Sequence, residues 1–429
     1  MIKEEILQFI WKTGMFEPNE LKTTCGSKLT ILSPGIQNFN AGPDFFNAKI
    51  MIGNTIWAGN VEIHLRSSDW VKHGHQHDGA YNNVILHVVL DEDATTFNSL
   101  GRMVHTLLLR DPAPLLSFYK ALQADESWLP CHSHIQNVPN VRLKRWLTLL
   151  QGERIEGKCL HISNLLYRCR LNWEETLCLV LASAFGIPHN SLPFEMTLTG
   201  IPFELIFQKR ESLPDIEAIL YGQAGFLNKD HLTGHYKREL LRSYLQLSNH
   251  FRTPPVDLHL WKFLRLRPAS FPTLRISQFA SLLHTRLPLL ESILNTTSVS
   301  ETEHLLKVKS SIYWDTHYLF GKCSPESKKA MGHQAIMTVI INGLVPFLFS
   351  FGQIKNHEPA IILGNKLLQE SESESNQIIK NWAAFGIVPI GAFESQALIQ
   401  LHHAYCKQKR CLDCKLGEGF IQKTIYENH

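Results

Sequence analysis

The stretch Asn40–Val89, NAGPDFFNAKIMIGNTIWAGNVEIHLRSSDWVKHGHQHDGAYNNVILHVV, decides how this chain is read. It gathers Asp44, Glu62, His64, Asp69, His73, His75, His77, Asp78 and His87 into one run. Phe46, Ala48, Ile50 and Ile52 alternate with Asn47, Lys49 and Met51, which predicts a strand, and Gly53-Asn54 supplies a turn before Ile56 and Trp57 start the next. In that second strand Val61, Ile63 and Leu65 point one way and Glu62, His64 and Arg66 the other, because side chains alternate with period two. Glu62 and His64 therefore share a face. Asp44 precedes the neighbouring strand, where hairpin pairing brings it to the same edge, and Val84–Val89 reads as a third, more apolar strand containing His87.

Two carboxylates converging from adjacent strands can hold a hard cation, and that cation can polarise a phosphodiester and lower the pKa of attacking water. A polar group two residues after the second acid would position the water. At these residues the chain resembles the metal-dependent PD-(D/E)XK nuclease superfamily. Pro43-Asp44 matches the P-D pair, Glu62-x-His64 stands for (D/E)-x-K, and Glu4 or Glu5 corresponds to the extra acid of some members. The resemblance implies an α/β unit with a mixed, restriction-endonuclease-like sheet, followed here by a mainly α-helical region. It further implies Asp44 and Glu62 as ligands of Mg²⁺ or Mn²⁺, His64 as a third catalytic residue, and DNA or RNA as substrate. His64 is the departure, since a neutral imidazole orients water or binds metal without the fixed charge of lysine. The alternatives are a catalytically inactive nuclease-like protein that binds nucleic acid or another protein, and hydrolysis of a different phosphoester. Nearly end to end, the chain also resembles a family of uncharacterised bacterial proteins best represented in the Bacteroidetes. That likeness runs through EEILQFIWK, AGPDF, GNVEIHLRSSDW, WKFLRLRP and the cysteine-bearing tail.

At 429 residues and 44% hydrophobic content the chain is long enough for two or three domains with a large apolar core. The shift from period-two to 3.6-period segments divides it into 1–125, 126–390 and 391–429, with Asp111-Pro112-Ala113-Pro114 as the first break. No 18-residue apolar run appears, and Lys3, Glu4 and Glu5 occupy the start where a secretory signal would lie, so a cytoplasmic protein outside the membrane is expected. Residues 1–120 hold 10 basic and 12 acidic residues, whereas 251–290 hold 6 and 1, so the helical part is where a phosphate backbone would be gripped. There the run Trp261-Lys262-Phe263-Leu264-Arg265-Leu266-Arg267-Pro268 reads either as a base-stacking surface or as core anchors, with Trp261, Leu264 and Pro268 expected inside. Neither a phosphate loop nor a Rossmann fingerprint is present.

Three further groups stay open. His73, His75 and His77 at spacing two fit a polar loop, a nucleic-acid contact or a metal cluster; Lys49 could stand in spatially for the missing lysine; His87 reads equally as an interior histidine. In the tail, a helix over Ser395–Tyr405 delivers His402 or His403 beside Cys406, and Cys411-Leu412-Asp413-Cys414 adds two thiols across a two-residue gap. Cys406, Cys411, Cys414 and His403 would complete a tetrahedral Zn²⁺ site pinned against a strand-like segment over 419–425. An iron–sulfur cluster recruiting distant Cys25 or Cys323 is the alternative.

Overall fold

In the computed structural model, which describes residues 4–15, 21–109, 113–227, 234–247 and 250–427, the longest strand is β4 (Thr55–Arg66). The chain reaches it through helix α1 (Glu4–Thr13), strands β1 (Leu29–Ser33) and β2 (Ile36–Gln37), and β3 (Phe45–Ile52). Ile52 pairs with Thr55 across the Gly53-Asn54 turn, so β3 and β4 form a tight antiparallel hairpin. After helix α2 (Asp69–Lys72) and two short 3₁₀ turns, β5 (Val84–Asp91) returns parallel to β4, and β6 (Thr106–Leu108) lies parallel to β5. The sheet order is β1-β3-β4-β5-β6, with β2 also on β3. A mixed β-sheet region thus precedes a mainly α-helical one.

Two details depart from the alternation read in the sequence. Asn47 takes a left-handed φ of 57° within a bulge between Phe45 and Ala48, so Phe45, not Phe46, turns inward with Ala48, Ile50 and Ile52. Of the strand expected over 103–110, Thr106–Leu108 pairs with β5 and Met103 makes an isolated bridge to Phe97, and half of the break at 111–114 falls outside the described residues. One sheet face packs under α1, whose Ile6, Leu7, Phe9, Ile10 and Trp11 join Ile50, Val61, Ile63, Leu86 and Val88 in a single core. Gly59 is required where β4 meets the entry to β5, since a Cβ there would lie 2.5 Å from the Asn83 carbonyl oxygen.

By contact density the chain forms two units, Met1–Trp146 with His402–His429, and Leu147–Leu401. The tail therefore counts with the sheet-bearing residues, and its strand-like segment over 419–425 lies within a helix, Lys415–Glu427. The second unit is helical throughout most of its length and builds its core from Trp173–Phe185, Leu213–Gln223, Pro272–Arg286 and His333–Lys355. The last of these is long and apolar enough to cross a bilayer, but 78% of its apolar window is buried within the protein. Trp261 is buried as expected; Leu264, 82% exposed, and Pro268 are not, because the segment runs as irregular chain and two 3₁₀ turns that leave its far side to solvent.

The helical core also encloses an acid. Glu217 is buried, accepts hydrogen bonds from Ser277 Oγ at 2.5 Å and Tyr236 OH at 2.8 Å, and burial pushes its pKa above the ordinary 4.5. A carboxyl whose folded pKa is raised contributes stability that is complete below the unfolded value and is lost as pH rises through the folded one. The unfolding midpoint of the helical unit in urea is thus expected to fall as pH rises above 4.5, and Glu217→Gln should flatten that dependence. Parallel pH profiles for the two proteins would remove Glu217 as its source.

Candidate metal centre

β4 places Glu62 and His64 on the face opposite α1, and both are buried. The β3–β4 hairpin brings Asp44 alongside: its backbone N–H donates to Glu62 Oε2 at 3.1 Å, and its own Oδ2 accepts from the Ile63 N–H at 3.0 Å. Gln8 of α1 donates to Asp44 Oδ1 at 2.8 Å. Two carboxylates so close, in a partly dry site, disfavour double ionisation. Burial first, and the Glu62 charge second, push Asp44 up to about 7. The acidic half expected from the sequence is therefore assembled.

The crossover between β4 and β5 supplies the other half. His73 caps the C-terminus of α2, Gly74 turns with a φ of 80°, and His75 opens a one-turn 3₁₀ helix. The ring atoms of His64, His73 and His75 come within 4.8 Å of one another, a spacing able to hold a metal ion. His64 Nε2 lies 3.1 Å from His73 Nδ1, and Glu62 Oε1 lies 3.5 Å from His64 Nε2 and 3.3 Å from His75 Nε2. The last approach lacks hydrogen-bond alignment, which leaves His75 Nε2 buried without such a partner. A cation between these donors would satisfy it.

His77 is exposed and stands apart from this group. Spacing two would align three imidazoles on a strand, but a 3₁₀ turn rotates successive residues by roughly 120°, which separates His75 from His77. His87, wholly buried on β5, sets its Nε2 2.8 Å from His64 Nδ1. Burial drives His64 down to about 2 and His87 down to about 3, with neighbouring imidazoles adding to the effect on both. His64 is thus neutral across the working range. If its Nδ1–H donates to His87, its Nε2 lone pair faces His73 Nδ1 and a metal between the imidazoles would take the place of that hydrogen bond, the arrangement in which a second group fixes the tautomer of a ligand.

Of the two candidate acids on α1, Glu4 belongs here. Its carboxylate accepts the Leu65 N–H, burial raises its pKa, and His73, Asp69 and Glu62 all act on it, while Glu5 is exposed. Lys49 does not replace the missing lysine: it is exposed and pairs with Ala58, four positions along β4 from Glu62. Trp70, Tyr81 and His87 wall the site. Tyr81 stacks on His75 at 3.7 Å, and Trp70 meets His75 at 5.3 Å and His87 at 5.2 Å. No local pattern in the sequence connects Trp70 to the imidazoles. Only the crossover's return over the sheet makes that connection.

In the tail, burial first and neighbouring thiols second raise the pKa of Cys406, on which Cys414, Cys131 and Cys411 act, and of Cys411, on which Cys414 acts. The expected histidine ligand does not join them by position: His402 stacks on Trp128 at 4.3 Å with its Nδ1 buried and unpartnered, and His403 is exposed. Cys25 and Cys323 are exposed as well. The thiol that does weigh on the group is Cys131.

A family model described as protein of unknown function (DUF2851) matches residues 4–377. No curated protein and no solved structure matches the chain.

Proposed function

The chain belongs to the DUF2851 family, a description that carries no activity, and we propose from the site itself that it is a divalent-metal-dependent phosphodiesterase of the nuclease type, acting on DNA or RNA. The observation that carries this reading is the meeting of Asp44 and Glu62 on a tight hairpin beneath His64, His73 and His75. The order α1, strands β1–β4, crossover helix and parallel β5, with Glu4 beside the carboxylates, supports a restriction-endonuclease-like core. The mixed oxygen and imidazole donors favour Mn²⁺ over Mg²⁺, because magnesium prefers an all-oxygen shell. A metal held there would supply polarisation of a phosphoryl oxygen and a lowered water pKa. Asp44 and Glu62 would hold it, neutral His64 would offer it a ring nitrogen, and His87, 2.8 Å from His64 Nδ1, would fix the His64 tautomer. Lys262, Arg265 and Arg267, all exposed, offer cations for a phosphate backbone.

A second reading is a nuclease-like protein that binds without cutting. It is favoured by His64, whose two ring nitrogens already face His87 and His73. Labelled single- and double-stranded DNA and RNA, incubated with Mn²⁺ or Mg²⁺, decide between them: metal-dependent cleavage is expected, and binding without any cleavage selects the second reading. His64→Ala should weaken metal binding by roughly tenfold to a hundredfold and lower turnover with it. Unchanged affinity with lost turnover would remove His64 from the ligands and leave it orienting water.

A further inference from the structure

Arg275, on the helix Pro272–Arg286, is half-buried and makes no ion pair among the described residues. Its one hydrogen bond there runs from Nη1 to Gln278 Oε1 at 3.0 Å. Gln278 is buried and held in that orientation, because its Nε2 donates to the Lys329 carbonyl at 3.1 Å. A guanidinium carries a fixed fork of N–H donors, so most of this one is left over. Burial pushes its pKa down to about 10, and no carboxylate acts to hold it up. A charge so placed is costly unless something outside the chain answers it.

Arg275 lines a cavity of about 360 Å³ within the helical unit. That is at the small end of the range, roughly 300–1,000 Å³, in which small-molecule sites fall. Phe185, Met331, Met337 and Val339 give the cavity an apolar wall, and Ser270 and Ser373 add hydroxyls. Two acids border it, and neither answers the arginine. Glu374 is already committed: its Oε1 accepts from Asn342 Nδ2 and from Gln396 Nε2, both at 2.7 Å, and its Oε2 accepts from Asn376 Nδ2 at 3.0 Å. Glu372 is exposed. One cation without a counter-charge, an apolar wall and nearby negative charge therefore share a single cavity.

We propose that this cavity binds a small monocarboxylate with a hydrocarbon body, its carboxylate on the Arg275 fork and its hydrocarbon part against Phe185, Met331 and Met337. The planar fork matches a carboxylate through two parallel hydrogen bonds. One cation answers one negative charge, whereas a phosphate dianion would bring a second charge into a cavity bordered by Glu372 and Glu374. The apolar wall gains by covering hydrocarbon, which a bare inorganic anion does not offer. The site uses no residue of the Asp44–Glu62 centre and does not depend on the function proposed for it.

Butanoate, hexanoate and phenylacetate, titrated calorimetrically into the full chain, test this, with hexanamide and hexyl phosphate as controls of similar body. At least one carboxylate should bind, and both controls should bind at least about tenfold more weakly, because the amide lacks the charge and the phosphate carries too much. Arg275→Gln should weaken the carboxylate by roughly tenfold to a hundredfold. Ala335→Phe, which narrows the cavity and leaves the arginine in place, should weaken it as well. Phenylglyoxal modification mapped on the wild type needs no variant to fold: the bound carboxylate should slow modification of Arg275 and leave that of exposed Arg265 unchanged. Equal binding of hexanoate and hexanamide, tighter binding of hexyl phosphate, wild-type affinity in Arg275→Gln, Arg275 unprotected by a carboxylate that binds, or no binding by any of the three carboxylates at millimolar concentration would each overturn the proposal.

Discussion

Asp44→Asn and Glu62→Gln should each reduce Mn²⁺-dependent phosphodiester cleavage by at least about a hundredfold and weaken metal binding in parallel, because each removes a charged oxygen ligand from a site with little water to replace it. Folding should survive both changes. In Asp44→Asn the side-chain carbonyl can still accept from Ile63, and Gln8 can turn its own carbonyl towards the new amide. In Glu62→Gln the remaining carbonyl can still accept from the Asp44 N–H. The Glu62 charge helps to raise the Asp44 pKa, so Glu62→Gln also relieves Asp44. Equal cleavage rates in wild type and both variants, measured on the preferred nucleic acid over a Mn²⁺ titration, would take these residues out of the chemistry.

Trp70→Ala is expected to destabilise the sheet-bearing unit by about 3–5 kcal/mol, the range for deleting a wholly enclosed aromatic side chain. The indole is fully buried against His75, Tyr81 and His87, and its Nε1–H donates to the Phe97 carbonyl at 2.9 Å. Its removal opens a cavity, orphans a carbonyl and frees two imidazoles to leave their positions. Metal affinity should therefore fall together with stability. Trp70→Phe keeps most of the ring and loses the donor, so it should cost only about 1–3 kcal/mol. Hydrogen exchange along β5 reads the stability change and calorimetric Mn²⁺ titration reads the site. A Trp70→Ala protein with unaltered β5 protection would show that the indole does not hold the crossover in place.

Much of this centre could be read from alternation, because a strand with one face on a core repeats every second residue. That rule put Glu62 and His64 on one face and Asp44 at the hairpin edge. It failed at Asn47, where one extra residue in a left-handed turn shifts the phase, and bulges leave little mark in composition. It had nothing to say of the three crossover histidines, because helical and 3₁₀ geometry replaces the strand period there, and of the three only His73 and His75 join His64. Glu4 and Glu5 are adjacent on α1, and only the position of the Leu65 N–H selects Glu4. Leu264 and Pro268 misled because apolar character was equated with burial, whereas folded surfaces keep many apolar atoms exposed. Cys131 was beyond any local motif, since its neighbours are assembled by tertiary contacts over a long separation in the chain.

The parallel pairing of β4 with β5 also sets a schedule for a growing polypeptide. The carboxylates meet across a two-residue turn, so their encounter needs little more than the chain up to Arg66. The imidazoles are later arrivals: His64 gains His87 only after synthesis has passed β5 and the crossover has folded back. Closing such a non-local pair is slower than closing a hairpin. A nascent chain thus passes through an interval in which its acids are adjacent but its histidines are not, and metal captured then would be held by oxygen alone.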